Sequence, residues 1–143
     1  MRSNIRVATL VLTVLALEGC NGAATTTPQS HLPVYSTDMA GKAASCTVPP
    51  VKPVADRNTP VAMTTGGGGW CGISVQQNGA PYAAGLLTQE AHNGKVYVHS
   101  VGDDTRIDYI ARPGQVGPDS FAVKLIPGNA VIQVAVNTPA VGK

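Results

Sequence analysis

The sequence is poor in charge and poorer in aromatics. Charged residues make up 13% of the 143, the formal net charge is +2, and no block of like charges occurs. A balance that weak gives no footing on a polyanion, which argues against nucleic acid as a partner. Phe, Trp and Tyr together number six, too few for a base-stacking platform. Long apolar runs are missing as well. The run "VATLVLTVLAL", Val7 to Leu17, has 11 residues, whereas a transmembrane helix needs about 20. Patterns that carry chemistry are equally thin. Gly66 to Gly69 lead into Trp70-Cys71 and a strand pattern, not into the Lys-Ser/Thr and helix that a phosphate loop requires. His31, His92 and His99 lack the spacing of metal ligands. Ser74 and Ser120 lack a Gly-x-Ser-x-Gly elbow, and the adjacent Asp103 and Asp104 sit in turn chemistry rather than a cleft. The expectation is a non-enzyme with no cofactor and no metal.

The amino terminus is more informative. Arg2 and Arg6 form a short positive region before the apolar run, which fits the hydrophobic core of a secretory signal. The next residues, "LEGC", Leu17-Glu18-Gly19-Cys20, resemble the lipobox of bacterial lipoproteins, with Glu18 where a small or apolar residue is usual. The resemblance implies cleavage before Cys20 and acylation of its sulfur and new amino group with palmitate-class chains. Several chains on one residue anchor durably, where a single chain binds only marginally. Asn21 in place of Asp implies, by the same resemblance, sorting to the outer membrane, facing the periplasm or the cell surface. The other reading of these residues is an ordinary secretory signal cut near Ala23 or Ala24, with Cys20 discarded.

Three cysteines leave one odd in an exported protein. With Cys20 lipidated, Cys46 and Cys71 remain as a disulfide pair in an oxidising compartment. Closing their 25-residue loop contributes about 3 kcal/mol on the chain-entropy model. The chain divides into a signal peptide (1–19), the lipidated cysteine with a flexible tether (20–45), and one domain (46–143). Residues 21–44 lack periodicity, and 24 extended residues span roughly 80 Å. From Thr47 to Val61, Pro49, Pro50, Pro53 and Pro60 exclude a helix or a central strand, leaving an extended edge segment pinned at Cys46.

From Trp70 onward the period is two. Cys71, Ile73 and Val75 face a core, which turns Trp70 outward. "GAPYAAGLL" (79–87) reads as a turn and a less regular strand. "GKVYVHSV" (94–101) and "TRIDYIAR" (105–112) form a hairpin about Gly102-Asp103-Asp104. In the second of these, Ile107, Tyr109 and Ala111 alternate against Arg106, Asp108 and Ile110. A loop over 112–119 follows, then "SFAVKLI" (120–126) with Phe121, Val123 and Leu125 inward, a turn at Pro127-Gly128-Asn129, and "AVIQVAV" (130–136). Six short strands without a helical stretch predict an all-β sandwich.

The pattern "HNGKVYV…TRIDYIARPGQVGPDSFAVKL…NAVIQVAV" resembles the bacterial cadherin-like and immunoglobulin-like domain family. Tyr109, Pro113, Gly114, Gly117, Asp119, Ser120 and Phe121 occupy the family's motif positions, and the likeness covers residues 92 to 137. It implies a single Greek-key, immunoglobulin-like sandwich used as a spacer, adhesion or interaction module, without catalysis. Asp103, Asp104 and Asp119 are expected as turn residues, with Asp119 accepting backbone N–H groups in its loop. Trp70 is the candidate interface anchor, with Tyr82, Tyr97 and His99 as possible extensions of its patch. The alternative is that Trp70 covers the sheet edge or packs under the Pro-rich segment. The functional expectation is a membrane-anchored envelope lipoprotein with a protein partner. A soluble periplasmic or secreted binder, such as an enzyme inhibitor or a glycan-binding domain, is the alternative.

Overall fold

The computed structural model describes residues 32–66 and 68–140. The expected signal peptide, Cys20 and His31 lie outside them. A four-residue helix, α1 (Ser36–Met39), precedes eight strands: β1 (Ser45–Thr47), β2 (Asn58–Gly66), β3 (Trp70–Val75), β4 (Ala84–Gln89), β5 (Gly94–Val101), β6 (Asp104–Ala111), β7 (Gly117–Ile126) and β8 (Ala130–Thr138). They form two sheets, ordered β1-β2-β8-β7-β4 and β3-β6-β5. Every pairing is antiparallel except that of β2 with β8. The chain is an all-β sandwich.

Period-two alternation builds the core. Cys71, Ile73, Val75, Ile107 and Tyr109 point inward from the three-stranded sheet. Val61, Met63, Phe121, Val123, Leu125, Ile132, Val134 and Val136 meet them from the other. Tyr109 and Phe121 stack at the centre, with ring centroids 5.8 Å apart and planes within 3°. Cys46 on β1 is bonded to Cys71 on β3, which ties the two sheets together near one edge.

Strands flank the Pro-rich stretch expected as an extended edge segment: β1 ends at its first residue and β2 takes up its last four. β2 begins at Asn58 and includes Pro60. Its partner β1 covers only Thr64 to Gly66, so β2 has β8 alone beside it from Asn58 to Met63. Pro60 therefore sits where its missing N–H removes no ladder bond, and the edge character expected of the Pro-rich stretch holds at that point. The glycines after β2 carry the chain from one sheet to the other. Gly68 and Gly69 have φ of 71° and 83°, values that L side chains rarely adopt. A Cβ on Gly69 would also collide with the carbonyl of Gly41.

The loop before β7 is shorter than expected, because Gly117 already pairs with Thr138. Arg112 O accepts from Gln115 N at 3.0 Å. Pro113 stands second and Gly114, with φ of 76°, third, the residue pattern of a type II turn.

Candidate functional site

The outer face of the three-stranded sheet collects the chain's unusual side chains. β3 contributes Trp70, β6 contributes Arg106 and Asp108, and β5 contributes Tyr97 and His99. Alternation places all five opposite the core-facing set. Such a face normally meets water, yet Arg106 and Asp108 are only 6% and 5% exposed. The cover is the stretch expected to be a tether. Residues 32–44 lie across this face as a strap.

The strap is held through the backbone. Trp70 Nε1 donates to Ala40 O at 2.6 Å, and Arg106 Nη1 donates to Asp38 O at 2.5 Å. Trp70 N donates to Gly41 O at 3.0 Å and Ala43 N to Trp70 O at 2.8 Å. These bonds make a one-residue parallel addition at the edge of β3. Leu32 N donates to Asp103 Oδ1 at 3.2 Å. Within the strap, Asp38 Oδ2 accepts from Tyr35 N at 2.9 Å and closes the first turn of α1.

Electrostatics hold the layer beneath. The Arg106 guanidinium lies 4.0 Å from the Trp70 ring centroid, with Lys42 Nζ at 5.9 Å. Asp108 Oδ2 accepts from Arg106 Nε at 3.0 Å, approaches Nη2 at 2.9 Å, and accepts from His99 Nε2 at 2.9 Å. Asp108 Oδ1 has no hydrogen-bond partner among the described residues. It packs against the Cα of Gly72, where any Cβ would strike it. Charge-assisted bonds on one oxygen thus offset the burial of the other. Between strap and sheet lies a cavity of about 330 Å³, lined by Val34, Met39, Lys42, Trp70, Val101 and Arg106, among others.

Of the four interface candidates, the structure brings three to this face. Trp70 points outward but is half-buried beneath residues 40–42. Tyr97 is 51% exposed, and His99 remains exposed beyond its bond to Asp108. Tyr82 is not part of the patch. It packs against the core before β4, its N–H donates to Thr105 Oγ1 at 2.8 Å, and burial pushes its hydroxyl pKa up.

The motif residues form a second, structural cluster. Asp119 lies on β7 rather than in a turn, and its carboxylate reaches across to the segment before β5. Oδ1 accepts from His92 N at 3.0 Å and from Ser120 N at 2.8 Å. Oδ2 accepts from Asn93 N at 2.8 Å and from the Tyr109 hydroxyl at 2.9 Å. Burial pushes the Asp119 pKa up, but these four bonds outweigh it and hold the carboxyl below its ordinary value. Tyr109 moves the other way. Burial first, then the bond and the charge of Asp119, raise its hydroxyl far above its ordinary value, with Arg112 opposing weakly. Gly94 makes room for the Tyr109 ring, since a Cβ there would overlap it. Ser120 Oγ accepts from Gln89 Nε2 at 2.9 Å.

Arg106, Asp108 and the strap were missed by sequence reasoning. The available signal was an Arg and an Asp two apart on the outward side of a central strand, with Gly72 opposite Asp108. Among the described residues no helix is long and apolar enough to cross a membrane, and no three His, Cys, Asp or Glu side chains gather as metal ligands would. No known protein-family model, curated protein or solved structure matches the chain.

Proposed function

We propose that the chain is a lipoprotein of the bacterial cell envelope. Acylated Cys20 anchors it in the outer membrane, and its sandwich is a non-catalytic structural or protein-binding module. The cysteine pairing carries this reading. Cys46 bonds to Cys71, which leaves Cys20 as the odd one of three, directly behind the apolar run of a secretory signal. A disulfide belongs to an oxidising compartment, and a cysteine at that position is where a lipoprotein carries its acyl chains.

Strand order supports an immunoglobulin-like assignment. β3, β6 and β5 lie in the order of strands B, E and D, while β4, β7 and β8 follow C, F and G. The disulfide departs from the antibody arrangement, since it joins the first strand to the B position.

Two measurements test this. The intact mature chain should start at Cys20 and carry acyl mass. A chain starting after Ala23 removes the anchor. Fractionation of a Cys20→Ser variant should move the protein from membrane to soluble fractions. If wild type is already soluble, the reading becomes a periplasmic or secreted binder.

A further inference from the structure

The strap packs in an unusual way. A segment that covers a sheet normally turns its apolar side chains down and its polar groups out. Here the backbone carbonyls of Asp38, Ala40 and Gly41 face the sheet and hold it. Val34, Tyr35 and Met39 remain 54%, 63% and 58% exposed, and α1 buries no residue. Val34 and Met39 rim the cavity above Trp70 and Arg106, with Lys42 beside them. Three large exposed apolar side chains and a lysine thus fall within nine residues of the strap, and Val34, Met39 and Lys42 line one cavity.

The chain preceding the strap says what that side meets. Eleven residues, 21–31, separate Cys20 from Leu32. Fully extended, they reach at most about 40 Å, half of what a tether running to residue 44 would allow. Pinning of residues 32–44 to the sandwich makes the strap the part of the domain nearest along the chain to an anchor at Cys20. A bilayer suits this surface chemically. Tyr side chains lodge at the boundary between headgroups and acyl chains, and Val and Met side chains add apolar surface that gains by leaving water there. A patch of this size binds weakly alone, but the anchor holds it at high effective concentration.

We infer that the strap face is a membrane-docking surface, with Val34, Tyr35 and Met39 seated at the interface of the bilayer that holds the Cys20 anchor. The inference rests on the lipoprotein reading. Docking turns the outer face of the three-stranded sheet toward the membrane and the outer face of the five-stranded sheet away from it.

The test uses the full lipidated chain in vesicles of phosphatidylethanolamine and phosphatidylglycerol, with acyl chains either ordinary or brominated. Tyr35→Trp adds a fluorophore at the strap, and Gln133→Trp adds one on the exposed outer face of the other sheet. The contribution of Trp70 is subtracted with wild type. Emission added at position 35 should fall at least about twofold in brominated vesicles, while that at position 133 stays unchanged. Equal emission at position 35 in both vesicles overturns the docking, as does equal quenching at the two positions. Only lipid is present, so a surface made instead for an envelope protein also gives no quenching. Unaltered protein gives a second measure: trypsin should cut after Lys42 several-fold more slowly in vesicles than in detergent, and equal rates contradict the inference. The mass of the same sample separates the two readings. An acylated chain without quenching removes docking alone, and a chain without acyl mass removes both.

Discussion

Removing the indole from Trp70 should release the strap while the sandwich stays folded. Three interactions link this side chain to the strap: the Nε1 bond to Ala40 O at 2.6 Å, packing of the ring on residues 40–42, and Lys42 Nζ at 5.9 Å from the ring. The bond contributes about 1 kcal/mol. Burial of part of the ring adds about 1 kcal/mol, and the exposed cation–π contact adds at most about 0.5 kcal/mol. The stack of Arg106 on Trp70 lies within the sheet and does not count toward strap closure. Trp70→Ala therefore favours opening by about 2 kcal/mol, or about 30-fold, whereas Trp70→Phe keeps most of the packing and favours it by about 1 kcal/mol, or fivefold. Native-state hydrogen exchange at the Ala43 amide, which bonds to Trp70 O, reads the opening directly. Its exchange should quicken by about those factors, while the amide of Ile132 in the core quickens far less. Equal acceleration at both amides would mean that Trp70 stabilises the whole fold. An unchanged Ala43 amide would mean that the side chain does not hold the strap.

Other outcomes follow from the core and the motif cluster. Asp119→Asn places an amide donor among the donors that now meet a carboxylate, and urea unfolding near neutral pH should show a loss of about 2 kcal/mol. Because the folded pKa of Asp119 is lowered, its contribution is complete above the ordinary carboxylate range and is lost as pH falls through the folded value. The wild-type stability curve should therefore drop below about pH 4, and the Asp119→Asn curve should drop less. Tyr109 has a raised folded pKa, so its contribution is complete below its ordinary value and is lost as pH rises past about 10. Tyr109→Phe should flatten that alkaline limb in the same assay. The double variant Cys46→Ser/Cys71→Ser should lower unfolding free energy by about 3 kcal/mol, and an unchanged midpoint in urea would contradict a native Cys46–Cys71 bond. Gly94→Ala drives a methyl into the Tyr109 ring and should lower the melting temperature, since such overpacking costs about 1–3 kcal/mol.

The core was legible because its signal is local. Alternation in "CGISV", "TRIDYIA", "SFAVKLI" and "AVIQVAV" told which residues point inward, and the same rule turned Trp70 outward. The cysteine count alone suggests the Cys46–Cys71 pair. Much of the site was not legible, because it depends on contacts distant in sequence. Residues 32–44 show no periodicity, since their hold on the sheet runs through backbone carbonyls, which leave no mark on side-chain pattern. Without the strap, Arg106 and Asp108 read as an ordinary wet face. Their burial follows only once Asp38 O and Trp70 are placed above them. Residue type alone groups Tyr82 with Trp70, and the turn before β4 carries it to the core instead. β2 hid behind Pro60, because a proline is compatible with a strand only where one side lacks a partner.

The proposed anchor at Cys20 underlies both the envelope reading and the docking of the strap, so the mass of the mature amino terminus tests the account most directly. Intact-mass and peptide mass spectrometry of the chain recovered from bacterial membranes should show Cys20 as the first residue with acyl chains attached. A mature chain that begins after Ala23, or one that keeps Cys20 as an unmodified thiol, would contradict it.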